Sequence, residues 1–296
     1  MRLDVLLVRR VDGMSRTRAR RMILEGHVRL NGRRAKKGQR LTPGDRVWVE
    51  RLPPPADFVP IAVASPLRVV HEDEALVIVD KPAGVPTHPL RPDERDTVAN
   101  ALLARYPEME GVGYALREPG ILHRLDNDTS GLLLAARDAS TFEALRVALK
   151  GGAIDKRYAL LVDGSLEAPR TIDAPIAKHP SDPRRVHVCL DPLDRRLPAA
   201  RPARTELLEA TPLGDRFTRL EAKAVVAVRH QIRAHLAAIG HPLVGDWLYG
   251  GSSRDVLGRH FLHASALAFV HPRTAERLSV TSELPPELAS FLEAAP

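Results

Sequence analysis

Cysteine is all but missing from this chain: Cys189 is the one thiol in 296 residues. A lone thiol allows no internal disulfide and no thiolate cluster for zinc, so a reducing, cytoplasmic setting is the expectation. Long apolar runs are missing too. None approaches the ~18 residues of a membrane span, and the first residues lack the apolar core of a secretory signal, so no membrane association is expected. No Gly-x-Ser-x-Gly elbow occurs, which removes the serine-hydrolase reading, and no cofactor motif is present.

What is present is a charge asymmetry on an otherwise ordinary globular composition (44% hydrophobic, 27% charged). Residues 1–51 hold 15 Lys and Arg against 5 Asp and Glu, whereas the other 245 residues are close to balanced. Such a split predicts a polyanion-binding module attached to a near-neutral body. Within the module, Ser15 can cap a short helix that Gly26 ends, with Ala19, Met22 and Ile23 facing inward. Arg16, Arg18, Arg20 and Arg21 then form its basic outer face. Val28 and Leu30 alternate with polar residues up to Asn31-Gly32, a strong hairpin signal, and Arg33, Arg34, Lys36 and Lys37 follow. A helix and a hairpin that both carry cations make a compact phosphate-binding surface, which positions a protein on nucleic acid without reading its sequence.

This stretch resembles the small RNA-binding domain named after ribosomal protein S four. The resemblance rests on Arg2-Leu-Asp4, Ser15-Arg-Thr-Arg-Ala19, Gly26-His-Val28, Val28 to Gly32 and Gly44-Asp45. It implies structured RNA as the partner. Residues 1–52 are therefore read as this domain, 53–60 as a stiff proline-rich linker and 61–296 as a second domain.

In the second domain, "LRVVHEDEALVIVDKPAGVPTHP" predicts two short strands and a turn at 82–84. "STFEALRVALKGG" predicts a helix with Ser140 and Glu143 at capping-box spacing. "KRYALLVDG" alternates Tyr158, Leu160 and Val162 on one strand face, and "HQIRAHLAAIG" predicts a helix stopped by Gly240. Residues 180–204 read as an irregular excursion. Strands and helices interleave without an even repeat, so the expected class is α+β, on a mostly antiparallel or mixed sheet.

The densest polar stretch is "HRLDNDTSG", His123 to Gly131. A calcium loop would need a glutamate where Arg137 stands. Zinc would need two histidines four apart on a helix, but His230 and His235 are five apart with no glutamate after His230. No metal is expected. Asp126 and Asp128 sit too close on one loop to flank a glycosidic bond. As a bare Asp-x-x-Thr pattern, the stretch reads most simply as a turn closed by Asp126 and Thr129.

A resemblance changes that reading. "HRLDNDTSGLLLAAR" looks like the signature of the RluA-type RNA pseudouridine synthases, and "DKPAGVPTHP", "KRYALLVDG", "HQIRAHLAAIGHPLVGDWLYGG" and "FLHASALAFVHP" match four further blocks in the family's order. The resemblance implies a cofactor-free isomerisation: the C1′–N1 bond of a uridine breaks, the uracil turns, and C5 joins C1′. It implies Asp126 as the catalytic aspartate, Arg233 as its basic partner, and Tyr158 as the ring packed on the uracil. Arg124 would help to flip the nucleotide, while His123, Thr129, His230 and Gln231 fall among the substrate contacts. Ribosomal RNA is favoured over transfer RNA as substrate, and a monomer is expected. The chain departs from the family where Val226, Ala227 and Val228 replace Thr-Gly-Arg, with Arg229 next to His230, and where Asn127 replaces a common lysine. That departure leaves one alternative, a non-catalytic RNA-binding or ribosome-assembly protein that keeps the fold.

Overall fold

A computed structural model describes residues 1–11, 14, 16–50, 57–224 and 227–294, without the side chains of residues 16–18 and 254. It forms two compact units, Met1–Val59 and Pro60–Pro296. Residues 53–56 of the linker segment and Ser15 lie outside the described residues, as do the side chains of Arg16 and Arg18.

In the first unit, helices α1 (Leu3–Arg10) and α2 (Arg16–Glu25) precede strands β1 (Val28–Leu30), β2 (Arg33–Arg34) and β3 (Val47–Val49), ordered β2-β1-β3. The hairpin forms as its sequence predicts. Asn31 and Gly32 both have positive φ, 52° and 80°, which is the geometry a two-residue turn needs to match strand twist. Leu3, Leu7, Ala19, Met22, Ile23 and Val28 make a small core. The basic face is more committed than the sequence suggests. Arg20 pairs with buried Asp4 (3.1 Å), Arg21 with Glu25 (2.7 Å), and Arg34 donates to the Leu24 carbonyl (2.7 Å). Arg33, Lys36 and Lys37 stay exposed.

The second unit runs β4 (Arg68–Glu72), β5 (Leu76–Lys81), α3 (Val98–Arg105), β6 (Ser130–Ala136), α4 (Ala139–Lys150), β7 (Asp155–Asp163), β8 (Arg170–Asp173), β9 (Ile176–Lys178) and β10 (Val186–Val188). It continues with β11 (Arg204–Leu213), β12 (Phe217–Ala224), α5 (Gln231–Ala238), α6 (Arg254–Leu257), β13 (Leu262–Val270), β14 (Arg277–Thr281) and α7 (Pro286–Ala294). The main sheet is ordered β4-β5-β6-β13-β7-β12-β11-β8, with β14 also on β13. Among the described residues only the β6–β13 pair is parallel, so the fold is α+β on a mixed sheet. The 180–204 excursion is less irregular than expected, because β10 pairs with β9 in a hairpin.

Strand β6 explains its own sequence. All seven residues are buried, with Leu133 and Ala135 in one core and Leu132, Leu134 and Ala136 in the other. A strand covered on both faces needs no polar alternation, hence the run Leu-Leu-Leu-Ala-Ala. Helix α4 covers one face through Phe142 and Leu145, while α3 and α5 contribute Leu102 and Leu236 to the other. The α4 cap differs from the expected Ser140–Glu143 box. Asp138 accepts from the Ser140 and Thr141 amides, and Glu143 pairs with Arg146 instead. A carboxylate at that position also favours the helix N-terminus.

Candidate active site

The polar nonapeptide is the lead-in to β6, and its backbone shape is set by close packing. Gly131 has φ 111°, and a Cβ there would lie 2.3 Å from the Ala264 carbonyl oxygen on β13. Only glycine permits the parallel pairing at this point. Upstream, the Thr129 amide donates to the Asp126 carbonyl (3.1 Å), so the residues do close a turn. The first motif clamps that turn from outside. Buried Lys81 donates to the carbonyls of Pro82 (2.9 Å), Val85 (2.7 Å) and Asn127 (2.8 Å), and Thr87 donates to the Leu125 carbonyl (2.9 Å).

With its backbone held, Asp126 points its carboxylate at α5. Arg233 Nη1 donates to Asp126 Oδ2 at 2.9 Å. The same guanidinium is gripped on its other edge by Asp246, Nε to Oδ2 at 2.7 Å and Nη2 to Oδ1 at 2.9 Å. Arg233 is 7% exposed and Asp246 1%, so this is a buried acid–base–acid relay rather than a surface pair. The Tyr249 ring lies 5.3 Å from the guanidinium carbon, and its hydroxyl is 3.1 Å from His230 Nδ1. His230 opens α5 in the left-handed region (φ 56°), a strained place for a non-glycine residue that the Tyr249 contact helps to hold.

Burial opposes ionisation of Asp126, yet its carboxyl is held below the ordinary range because neighbouring His230, Arg233 and His260, with the Arg233 hydrogen bond, outweigh it. The two histidines are neutral near pH 7, pushed down by burial to about 4 and about 3. At that pH the stabilising charge is therefore that of Arg233. Burial, reinforced by Asp126, pushes the Tyr158 phenol well above its usual value, so this ring stays protonated. Between these groups lies a cavity of about 50 Å3, walled by Leu125, Tyr158, Ile232 and Leu262 among others. Such a carboxylate, ionised and beside a protonated phenol, can act as a nucleophile or base on a ring brought against Tyr158.

Comparison with known proteins gives the family. Residues 75–238 match the family model of RNA pseudouridylate synthase, and residues 1–47 match the S4 domain. An uncharacterized RNA pseudouridine synthase of Chloroflexus aurantiacus is 39% identical over 98% of this chain and 89% of its own length. The chain belongs to the RNA pseudouridylate synthase family. It is therefore an isomerase carrying an N-terminal S4 domain. The ribosomal large subunit pseudouridine synthase D of Escherichia coli K12 is 32% identical, with 99% of this chain and 90% of the relative aligned. The solved structure of human RNA pseudouridylate synthase domain containing 1 shares the fold, with TM-score 0.57 at 24% identity over 78% of this chain and 96% of that one.

Of the residues singled out from this synthase's sequence, Asp126, Tyr158 and Arg233 converge on one cavity, with Arg124 exposed at its wall. Others serve the scaffold. Gln231 donates to the Arg204 carbonyl and Thr205 Oγ1 and accepts from the Val228 amide; Thr129 Oγ1 meets His260 Nε2 at 2.7 Å. His123 Nε2 accepts from the Leu134 amide. The departure from the family is accommodated locally. Val226 lies outside the described residues, Val228 packs with Ile176 and Ala203, and Arg229 donates to the Pro183 and Arg184 carbonyls. Sequence reasoning missed Lys81, Thr87, Asp246, Tyr249 and His260. All but His260 stand inside the motif blocks quoted above, but those blocks do not record which side chains meet.

One cluster outside the site has metal-ligating groups. The ligand atoms of His187, Cys189 and Asp194 lie within 4.8 Å of one another. Asp194 is already paired with His187 (2.5 Å) and Arg196 (3.0 Å), which leaves its carboxylate neutralised without an ion.

Proposed function

We propose that this synthase converts uridine in structured RNA to pseudouridine with Asp126 as the catalytic carboxylate, and that ribosomal RNA is its substrate. The reading is carried by the Asp126–Arg233 pair, a carboxylate kept ionised in a small cavity that Tyr158 also lines. Asp126 acts on C1′ as a nucleophile or on C2′ as a base. Either route needs the ionised form, which Arg233 maintains, itself fixed by Asp246. Tyr158 packs on the uracil and supplies or returns a proton. Arg124, exposed at the cavity wall, takes the space of the flipped base in the helix it leaves.

The about 50 Å3 present around Asp126 holds one or two waters. A uracil therefore enters with displacement of its walls. Ribosomal RNA is favoured by relatives named as large-subunit synthases, which match along nearly this whole chain. Residues 1–52, with Arg33, Lys36 and Lys37 exposed, hold structured RNA in this reading.

The test is tritium release from C5-labelled uridine in RNA, comparing wild type with Asp126→Asn. Release by wild type alone supports the reading. Release by neither, with RNA binding intact, would make the protein a non-catalytic binder.

A further inference from the structure

Next to the Asp126 cavity lies a larger one of about 510 Å3, and Arg124 and Ala227 belong to the walls of both. Its size falls in the range of ~300–1,000 Å3 typical of small-ligand sites. Its charge has one sign: Arg124, Arg146, Lys150, Lys156 and Arg201 line it, with no carboxylate in the lining.

Lys156 is the unusual member. It lies on β7 two residues before Tyr158, hence on the same strand face. It is 2% exposed, and its ammonium has neither a hydrogen-bond acceptor nor an ion-pair partner among the described residues. Burial alone shifts it, pushing it down to about 8. Its stem is buried while its ammonium meets only the cavity, and a methionine would fill the same strand position without desolvating a charge.

A second unsatisfied donor lies beside it. His123 accepts the Leu134 amide at Nε2 (3.2 Å), so in the neutral ring the proton sits on Nδ1. That Nδ1 is covered and has no partner. At the rim, Tyr114 is 53% exposed with its ring held edge-on against Phe142 at 4.9 Å. Cations beneath a presented aromatic ring are the usual furnishing of a single-stranded nucleotide site.

We infer that this cavity is a second RNA subsite, which seats the phosphate of a nucleotide neighbouring the target uridine on Lys156 and the Nδ1–H of His123. The inference rests on RNA being the substrate, and does not depend on which residue performs the isomerisation. The phosphate supplies the acceptor that both donors lack, and the shared Arg124 wall sets the subsite one step from the aspartate.

The experiment measures affinity for a fluorescent stem-loop oligoribonucleotide with uridine in its loop, across a salt series, using full-length Asp126→Asn protein so that no turnover intervenes. Added Lys156→Met should weaken binding about tenfold, the loss of one charge-assisted hydrogen bond. The slope of log affinity against log salt should shrink by about 0.7–0.9, one phosphate contact. The melting temperature should hold or rise, because no internal partner is lost. Arg277→Met, an exposed cation on β14, controls for bulk charge and should leave the slope unchanged.

An unchanged slope in Lys156→Met, an equal change in Arg277→Met, or a lower melting temperature in Lys156→Met would each overturn the subsite. Tritium release by the wild-type protein is read in parallel. If it is absent while Lys156→Met still shifts the slope, the isomerase reading falls and the subsite stands. If it is present with the slope unchanged, the subsite alone falls.

Discussion

Asp246→Ala should damage this protein more than removal of Asp126 does in stability, and nearly as much in activity. Arg233 is buried with three of its donors committed, two of them to Asp246 and one to Asp126. Alanine at 246 strands a buried guanidinium edge, and breaking a buried pair from one side costs about 3–5 kcal/mol. For a unit of this size each kcal/mol moves the melting temperature by about 2–4 °C, so a drop of about 6–20 °C is expected. Asp126→Ala leaves the bidentate Asp246 pair to neutralise Arg233 and also removes a desolvated carboxylate, so it should cost less. Turnover tells the other half. Once Asp246 is gone, Arg233 is no longer aimed, and an error near 1 Å at the site costs about a hundredfold in rate. Thermal melts and urea titrations, with tritium release, read both. Arg233→Ala strands the same Asp246 and should abolish turnover, and the Arg233→Ala, Asp246→Ala double variant should cost clearly less than the two single losses added. An Asp246→Ala protein within 1 kcal/mol of wild type, turning over normally, would refute the anchoring role.

Two further outcomes are expected. Replacing Arg33, Lys36 and Lys37 together by alanine should lower the salt slope of RNA binding by about two to three, and an unchanged slope would remove the S4 surface from RNA binding. Stability should also fall in mild acid. Burial pushes His88 and His230 down to about 4 and His123 and His260 to about 3, below the ~6.5 of the unfolded chain. Between these values the unfolded chain binds more protons. Each histidine's contribution is thus present above pH 6.5 and is lost towards its folded value, at up to about 1.4 kcal/mol per pH unit. A melting temperature that stays constant from pH 7 to 5 would contradict this.

The elements legible in the sequence are those whose cause is local. Asn31-Gly32 makes its turn because two adjacent residues tolerate positive φ. Gly240, at φ 88°, ends the arginine helix for the same kind of reason. The α4 cap was misjudged because Asp138 sits one residue before the helix that Ser140 was expected to cap, and Asp and Ser signal alike from sequence. Residues 180–204 concealed strand β10, which pairs back onto β9, because three-residue strands leave almost no periodic trace.

By itself, the sequence determined the class of the fold and the basic first module, and its ordered motifs named Asp126, Tyr158 and Arg233 as candidates. Only the tertiary structure decided what holds that set in place. Asn127 meets Lys81 from 46 residues away, and Arg233 meets Asp126 from 107. It also decided which polar residues are braces, Gln231 and Thr129 among them, and which donors, Lys156 above all, remain without an acceptor. Hydrogen bonding and desolvation act through space over a few ångströms. Which groups come that close is settled by the sheet order that brings β6, β13 and β7 side by side, and no spacing along the chain records it.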